Sequence, residues 1–150
     1  MMKSFAALAV AFALATGMIG TTIRLHAAPA GRAAAGKVTV TVDYKGSGTV
    51  DATHQVWVWL FDTPDIGPGS MPIAEMSVAK NGGAATFEVG TDRVWIAVAY
   101  DEKGVMSGNS PPAPGSPIGI YGSSVGAPEA VTPGAQGAVV LTFDDSIRMP

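Results

Sequence analysis

From Lys37 the chain reads Lys-Val-Thr-Val-Thr-Val-Asp-Tyr. Val38, Val40, Val42 and Tyr44 fall on one side of an extended backbone, Thr39, Thr41 and Asp43 on the other, a period of two made largely of β-branched residues. An α-helix cannot gather that pattern on one face, because its apolar residues must recur three and four apart. The same rule runs down the chain. Gln55 to Phe61 sets Val56, Val58 and Leu60 against Trp57, Trp59 and Phe61, so this strand is either central and covered on both faces or carries an aromatic surface. Pro72 to Ala79 is a weaker strand, with Ile73 and Glu75 opposite Ala74, Met76 and Val78; its leading proline marks an edge, and the prolines and Glu75 protect that edge from recruiting another strand. Asn81-Gly82 is a hairpin signal leading into Ala84 to Val89. A turn at Gly90 to Asp92 feeds Arg93 to Tyr100, a second candidate for a central strand, where Val94, Ile96, Val98 and Tyr100 alternate with Trp95, Ala97 and Ala99. Ile118 and Ile120 mark a short strand or bridge, and Ala138 to Phe143 is the last strand, ending in Asp144-Asp145. Between them lie a loop at Asp62 to Pro72, a proline-rich loop at Asp101 to Pro117, and a turn-like stretch from Gly122 to Gly137. The expectation is an all-β fold, a single antiparallel β-sandwich of about seven strands.

The N-terminus departs from this pattern. After Lys3 comes an uncharged stretch, Ser4 to Ile23, apolar from Phe5 to Ile19, followed by small residues at Ala27 to Ala30. Basic start, apolar run and small-residue exit are the form of a secretory signal helix, with cleavage expected after Ala27, Ala28 or Ala30. An uncleaved anchor is the alternative, since such a stretch can just span a bilayer, but its alanine content and the exit favour removal. The expected organisation is a signal peptide over 1–28, a short tether over 29–36 and the β-sandwich over 37–150, in a periplasmic or extracellular protein. Cleavage removes Lys3 and Arg24 and leaves seven Lys and Arg against twelve Asp and Glu, a net charge of −5. With no basic stripe to neutralise phosphates, nucleic-acid binding is not expected. With no cysteine in the chain, disulfides, thiolate nucleophiles, zinc ribbons and lipid-modified cysteines are excluded. Membrane contact is expected only through the N-terminal segment, and the partner is an unidentified protein or glycan.

The order of the alternating first strand, Val56-Trp57-Val58-Trp59-Leu60-Phe61-Asp62 with its Pro-rich loop, the Ala-Thr-Phe-Glu-Val strand, and Val94 to Tyr100 running into Asp101-Glu102-Lys103-Gly104 resembles the carboxypeptidase regulatory-like, or transthyretin-like (prealbumin-like), β-sandwich modules of exported bacterial proteins. The resemblance covers roughly residues 37 to 145. It implies a seven-stranded immunoglobulin-like or prealbumin-like sandwich with an accessory, binding or stabilising role and no catalysis of its own. Two enzymatic relatives of that fold can be tested on the residues. The transthyretin-like hydroxyisourate hydrolases end in Tyr-Arg-Gly-Ser, whereas this chain ends Ser146-Ile147-Arg148-Met149-Pro150; the intradiol dioxygenases hold iron through two Tyr and two His, whereas His54 alone remains once His26 is removed.

Several constellations invite a chemical reading. Gly122-Ser123-Ser124-Val125-Gly126 matches the Gly-x-Ser-x-Gly elbow of a small hydrolase, but that device needs a following helix and a histidine base, and no histidine follows position 54; a loop is the simpler reading. Asp62, Asp65, Asp101, Glu102, Asp144 and Asp145 sit at strand ends or in loops and could hold calcium if those ends converge, although their spacing fits no EF-hand, Lys103 opposes the charge, and turn formation accounts for them. No other cofactor is expected. Trp57, Trp59 and Trp95 share a parity; exposed, they would form a platform for a sugar or lipid, while burial in the core or beneath the Asp101 to Pro117 loop costs less in a monomer. His54 reads as a strand-end polar residue, and Met71, Met76, Met106 and Met149 as adaptable packing, too scattered for a copper motif. The expected function is therefore an exported, non-enzymatic binding or structural module. A carbohydrate- or lipid-binding protein using the tryptophan face comes second, and a small hydrolase third.

Overall fold

A computed structural model describes residues 36–90, 92–108, 110–124, 127–136 and 138–150. The expected signal peptide and residues 29–35 of the tether lie outside the described residues; Gly36, expected to close the tether, opens the first strand. The elements are β1 (Gly36–Tyr44), β2 (Val56–Phe61), β3 (Ala74–Val78), β4 (Ala84–Val89), β5 (Trp95–Tyr100), β6 (Ile118–Ile120), β7 (Gly122–Ser124), β8 (Ala127–Pro128) and β9 (Ala138–Phe143). No helix occurs among the described residues.

Two sheets, β4-β1-β9 and β3-β2-β5-β6, face one another in a sandwich-like arrangement. The alternation in β1 turns Val38, Val40, Val42 and Tyr44 inward against Val56, Val58 and Leu60 of β2, Ile96 and Val98 of β5, and Val139, Leu141 and Phe143 of β9. β2 and β5 are central and β3 is an edge, as their patterns require. Where β6 passes over β9 the inward residue is Gly119, whose β-carbon, if present, would stand 2.6 Å from Cβ of Phe143, so only a residue without a side chain lets the strands approach this closely.

Three expectations are corrected. The sheets are not wholly antiparallel: β9 lies parallel to β1, Thr39 opposite Ala138 through Tyr44 opposite Phe143. A period of two places the same side chains inside whichever way a strand runs, so the pattern does not reveal direction. Asn81-Gly82 does not close a hairpin, because β3 belongs to one sheet and β4 to the other. The turn instead extends β1: Gly82, at φ +76°, donates to Val42 O at 2.8 Å, Val42 N donates to Gly83 O at 3.0 Å, and the Asn81 amide bonds Tyr44 N and O at 2.8 and 2.7 Å. The stretch 122–137 is more than turn, containing the β7–β8 hairpin and Val131, fully buried and bridged to Val94.

Candidate apolar ligand site

The pairing register of the four-stranded sheet decides what its outer face presents. Trp59 lies opposite Glu75 on one side and Ala97 on the other, and Ala97 opposite Ile120, so one row runs Glu75, Trp59, Ala97, Ile120 across four strands. The next row is Ser77, Trp57, Ala99, Ile118, and beyond Trp59 Phe61 pairs with Trp95. All three tryptophans therefore share the face turned away from the inter-sheet core, and with Phe61 and Ala99 they build a second hydrophobic layer. Trp57 and Trp59 stack with centroids 6.3 Å apart. Trp59 is only 5% exposed, and its indole Nε1–H donates to Gly108 O at 3.3 Å, which ties the strand to the 101–117 loop above it. Trp57 and Trp95 are half-buried at the edge of the layer. The expected burial beneath the long loop thus holds for Trp59, while none of the three enters the core between the sheets.

Both proline-rich loops fold over this face, Ile66 from one and Met106 from the other packing on the aromatic layer. Each is braced locally. The buried carboxylate of Asp101 accepts from Val105 N at 3.1 Å and Met106 N at 2.8 Å; Ser70 Oγ accepts from Gly67 N at 2.9 Å and donates to Asp65 O at 2.6 Å. The C-terminal segment pairs with the base of the second loop through Ile118 N to Ile147 O and Met149 N to Ser116 O, both 2.9 Å. Between the loops remains a cavity of about 890 Å³, within the size range of small-molecule sites. Its floor is the Trp59, Ala97, Ile120 row, deepened where Ala97 stands between larger side chains; Ile66, Met71 and Ile73 wall one side, Pro111 and Pro112 another. Its polar side chains are Ser70, already bonded, Ser110, 3.3 Å from Ser107 Oγ, and Glu75.

The five aspartates proposed for calcium are not brought together. Asp62 follows Phe61 at one end of the β2–β5 pair and Asp101 follows Tyr100 at the other, about 23 Å away along the strands. Asp65 lies with Asp62. Asp101 braces its loop, Asp144 accepts from Ser146 N at 2.9 Å, and Asp145 accepts from Ser47 N and Oγ at 2.9 Å and from the Tyr44 hydroxyl. No cluster of three or more acidic or histidine side chains suited to a metal ion occurs among the described residues. The Tyr44 bond, then the Ser47 amide, holds the Asp145 carboxyl below the usual carboxylate range, while burial, then Asp145, pushes the Tyr44 hydroxyl well above that of an ordinary tyrosine. His54 closes a turn capped by Asp51, whose Oδ1 accepts from Thr53 N at 2.8 Å and His54 N at 2.7 Å and lies 3.1 Å from His54 Nδ1. Of the Gly-x-Ser-x-Gly stretch, Gly122 to Ser124 form β7 and Val125 and Gly126 lie outside the described residues; the next element is β8 rather than a helix.

Glu75, Ala97, Met71, Ile73, Ile118 and Ile120 are the site residues that sequence reasoning does not single out as such; at the rim Met71 is largely exposed and Ile73 half-exposed. No family model, curated protein or solved structure matches the chain.

Proposed function

We propose that the protein is an exported, non-enzymatic β-sandwich module of the prealbumin-like kind that holds an apolar small molecule between the outer face of its four-stranded sheet and the two proline-rich loops. The observation that carries this reading is the cavity itself: preformed, floored by Trp59, Ala97 and Ile120, and walled by aliphatic and proline side chains. A lipid-like ligand is favoured over a carbohydrate. A sugar ring needs an open aromatic face and several hydrogen-bonding side chains, whereas Trp59 is covered and the polar lining is sparse. Binding is favoured over turnover because His54, the sole histidine of the mature chain, is not among the lining residues.

The test uses the neutral fluorophore N-phenyl-1-naphthylamine, whose emission rises in apolar surroundings. Saturable one-site binding is expected, and Ala97→Phe, which fills the floor, is expected to weaken it about ten-fold or more. Ile73→Asp, at the half-exposed rim, provides a second variant that leaves the core untouched. Absence of saturable binding, or undiminished binding by folded Ala97→Phe and Ile73→Asp, would refute the reading.

A further inference from the structure

We infer that the ligand of this cavity is a cationic amphiphile, an apolar body bearing one ammonium group, with Glu75 as the residue that receives the charge. The inference rests on the reading above and deepens it. Glu75 stands at the end of the Glu75, Trp59, Ala97, Ile120 row, on an edge strand, where a solvent-facing side chain would be the ordinary arrangement. It is instead half-buried and lines the cavity. Its carboxylate lies directly against Gly108, where a side chain would have to push it aside. Among the described residues no cation stands within 4.0 Å of Glu75 and no hydrogen-bond donor reaches it. No side-chain oxygen among the described residues is both buried and unpaired, so the half-buried carboxylate keeps contact with water, and an ammonium group entering the cavity would meet in it an opposite charge and an acceptor together. No Lys, Arg or His lines the cavity, so a carboxylate ligand such as a fatty acid would meet repulsion with nothing to offset it. The aliphatic rim at Met71 and Ile73 suits the apolar body.

Decylamine, decanol and decanoate carry the same chain with positive, neutral and negative heads. Each is to be titrated below its micellar concentration against the full folded domain, in displacement of N-phenyl-1-naphthylamine and by calorimetry. Decylamine is expected to bind about ten-fold more tightly than decanol and decanoate more weakly than either. Glu75→Gln is expected to bring decylamine down to the decanol level, to improve decanoate, and to leave decanol unchanged. A second readout needs no variant: raising salt from about 20 to 500 mM should weaken decylamine alone, through screening of the pair. Equal affinity of the three heads in the wild type, or a Glu75→Gln effect shared by decanol, would overturn the charge assignment while leaving an apolar site in place. Failure of all three heads to bind would overturn the site itself, and the charge assignment with it.

Discussion

Tyr44→Phe isolates one hydroxyl. The Tyr44 ring is buried, stacked on Tyr100 at 4.5 Å and packed 4.9 Å from Phe143, and a phenylalanine retains both contacts. What disappears is the hydrogen bond to Asp145 Oδ1. Hydrogen bonds to charged groups contribute about 1.5–3 kcal/mol. The lower end applies, because Asp145 keeps both Ser47 bonds and its side chain is 28% exposed, so water can replace the lost donor. A loss of about 1.5 kcal/mol at neutral pH should lower Tm by roughly 5 °C in a domain of this size. The pH dependence distinguishes this bond from a packing effect. Asp145, held below the ordinary carboxylate range, contributes stability that is present above about pH 4 and lost as pH falls through its lowered folded value. Tyr44, raised above the ordinary tyrosine range, contributes stability that is present below about pH 10 and lost as pH rises toward its folded value. The variant lacks the second contribution and the Tyr44 part of the first, so the gap between the two proteins is widest at neutral pH and narrows on both sides. Calorimetric or urea unfolding of both proteins across that range measures it. A gap that stays constant with pH, or no gap at pH 7, would refute the assigned role of the bond.

Two further substitutions probe how the strands are held. Asn81→Ala strips both amide bonds from the Tyr44 backbone and should cost about 2 kcal/mol, with faster hydrogen exchange at the Tyr44 amide; Asn81→Asp, which keeps only the acceptor, should fall between. Gly119→Ala forces a methyl group onto Cβ of Phe143 and toward Leu141 and should cost about 1–3 kcal/mol by overpacking; Phe143→Leu keeps that Cβ, so the double variant should not recover the loss when both are measured by denaturant unfolding.

Inward and outward parity is legible from the residues; neighbours are not. The alternation from Val38 to Tyr44 places the right side chains in the core, because a half-buried strand leaves no other arrangement, whereas Val56 to Phe61, apolar on both faces, leaves open which face meets the other sheet. It carries no information about which strand lies alongside, or in which direction. The chemistry of Asn81-Gly82 does announce a turn with a residue at positive φ, yet the partner of that turn is β1, well back along the chain, and the bonds that reveal this run from the Asn81 side chain to a backbone 37 positions away. The aspartates illustrate the same limit. Each stands at a strand end or in a loop, but whether two ends meet depends on pairing, and the antiparallel β2–β5 register sends Asp62 and Asp101 to opposite ends.

The candidate site divides along the same line. The tryptophan face is visible in the sequence because aromatic residues at alternate positions announce themselves. The cavity beside it is not, because it consists of side chains that are small or absent: Ala97 between Trp59 and Ile120, and Gly108 above Glu75. A small residue has many explanations in a sequence and acquires a specific one only when its cross-strand neighbours are known. In the sequence Glu75 reads as a charge protecting an edge strand, which its position in β3 fits equally well. The β2–β3 register changes its meaning by setting it beside Trp59, on the covered face, with a glycine where a side chain would have displaced it. Edge protection asks only for a solvated charge, and a lysine would serve; a half-buried carboxylate facing an apolar cavity asks for a cation, and that difference is what the three matched head groups measure.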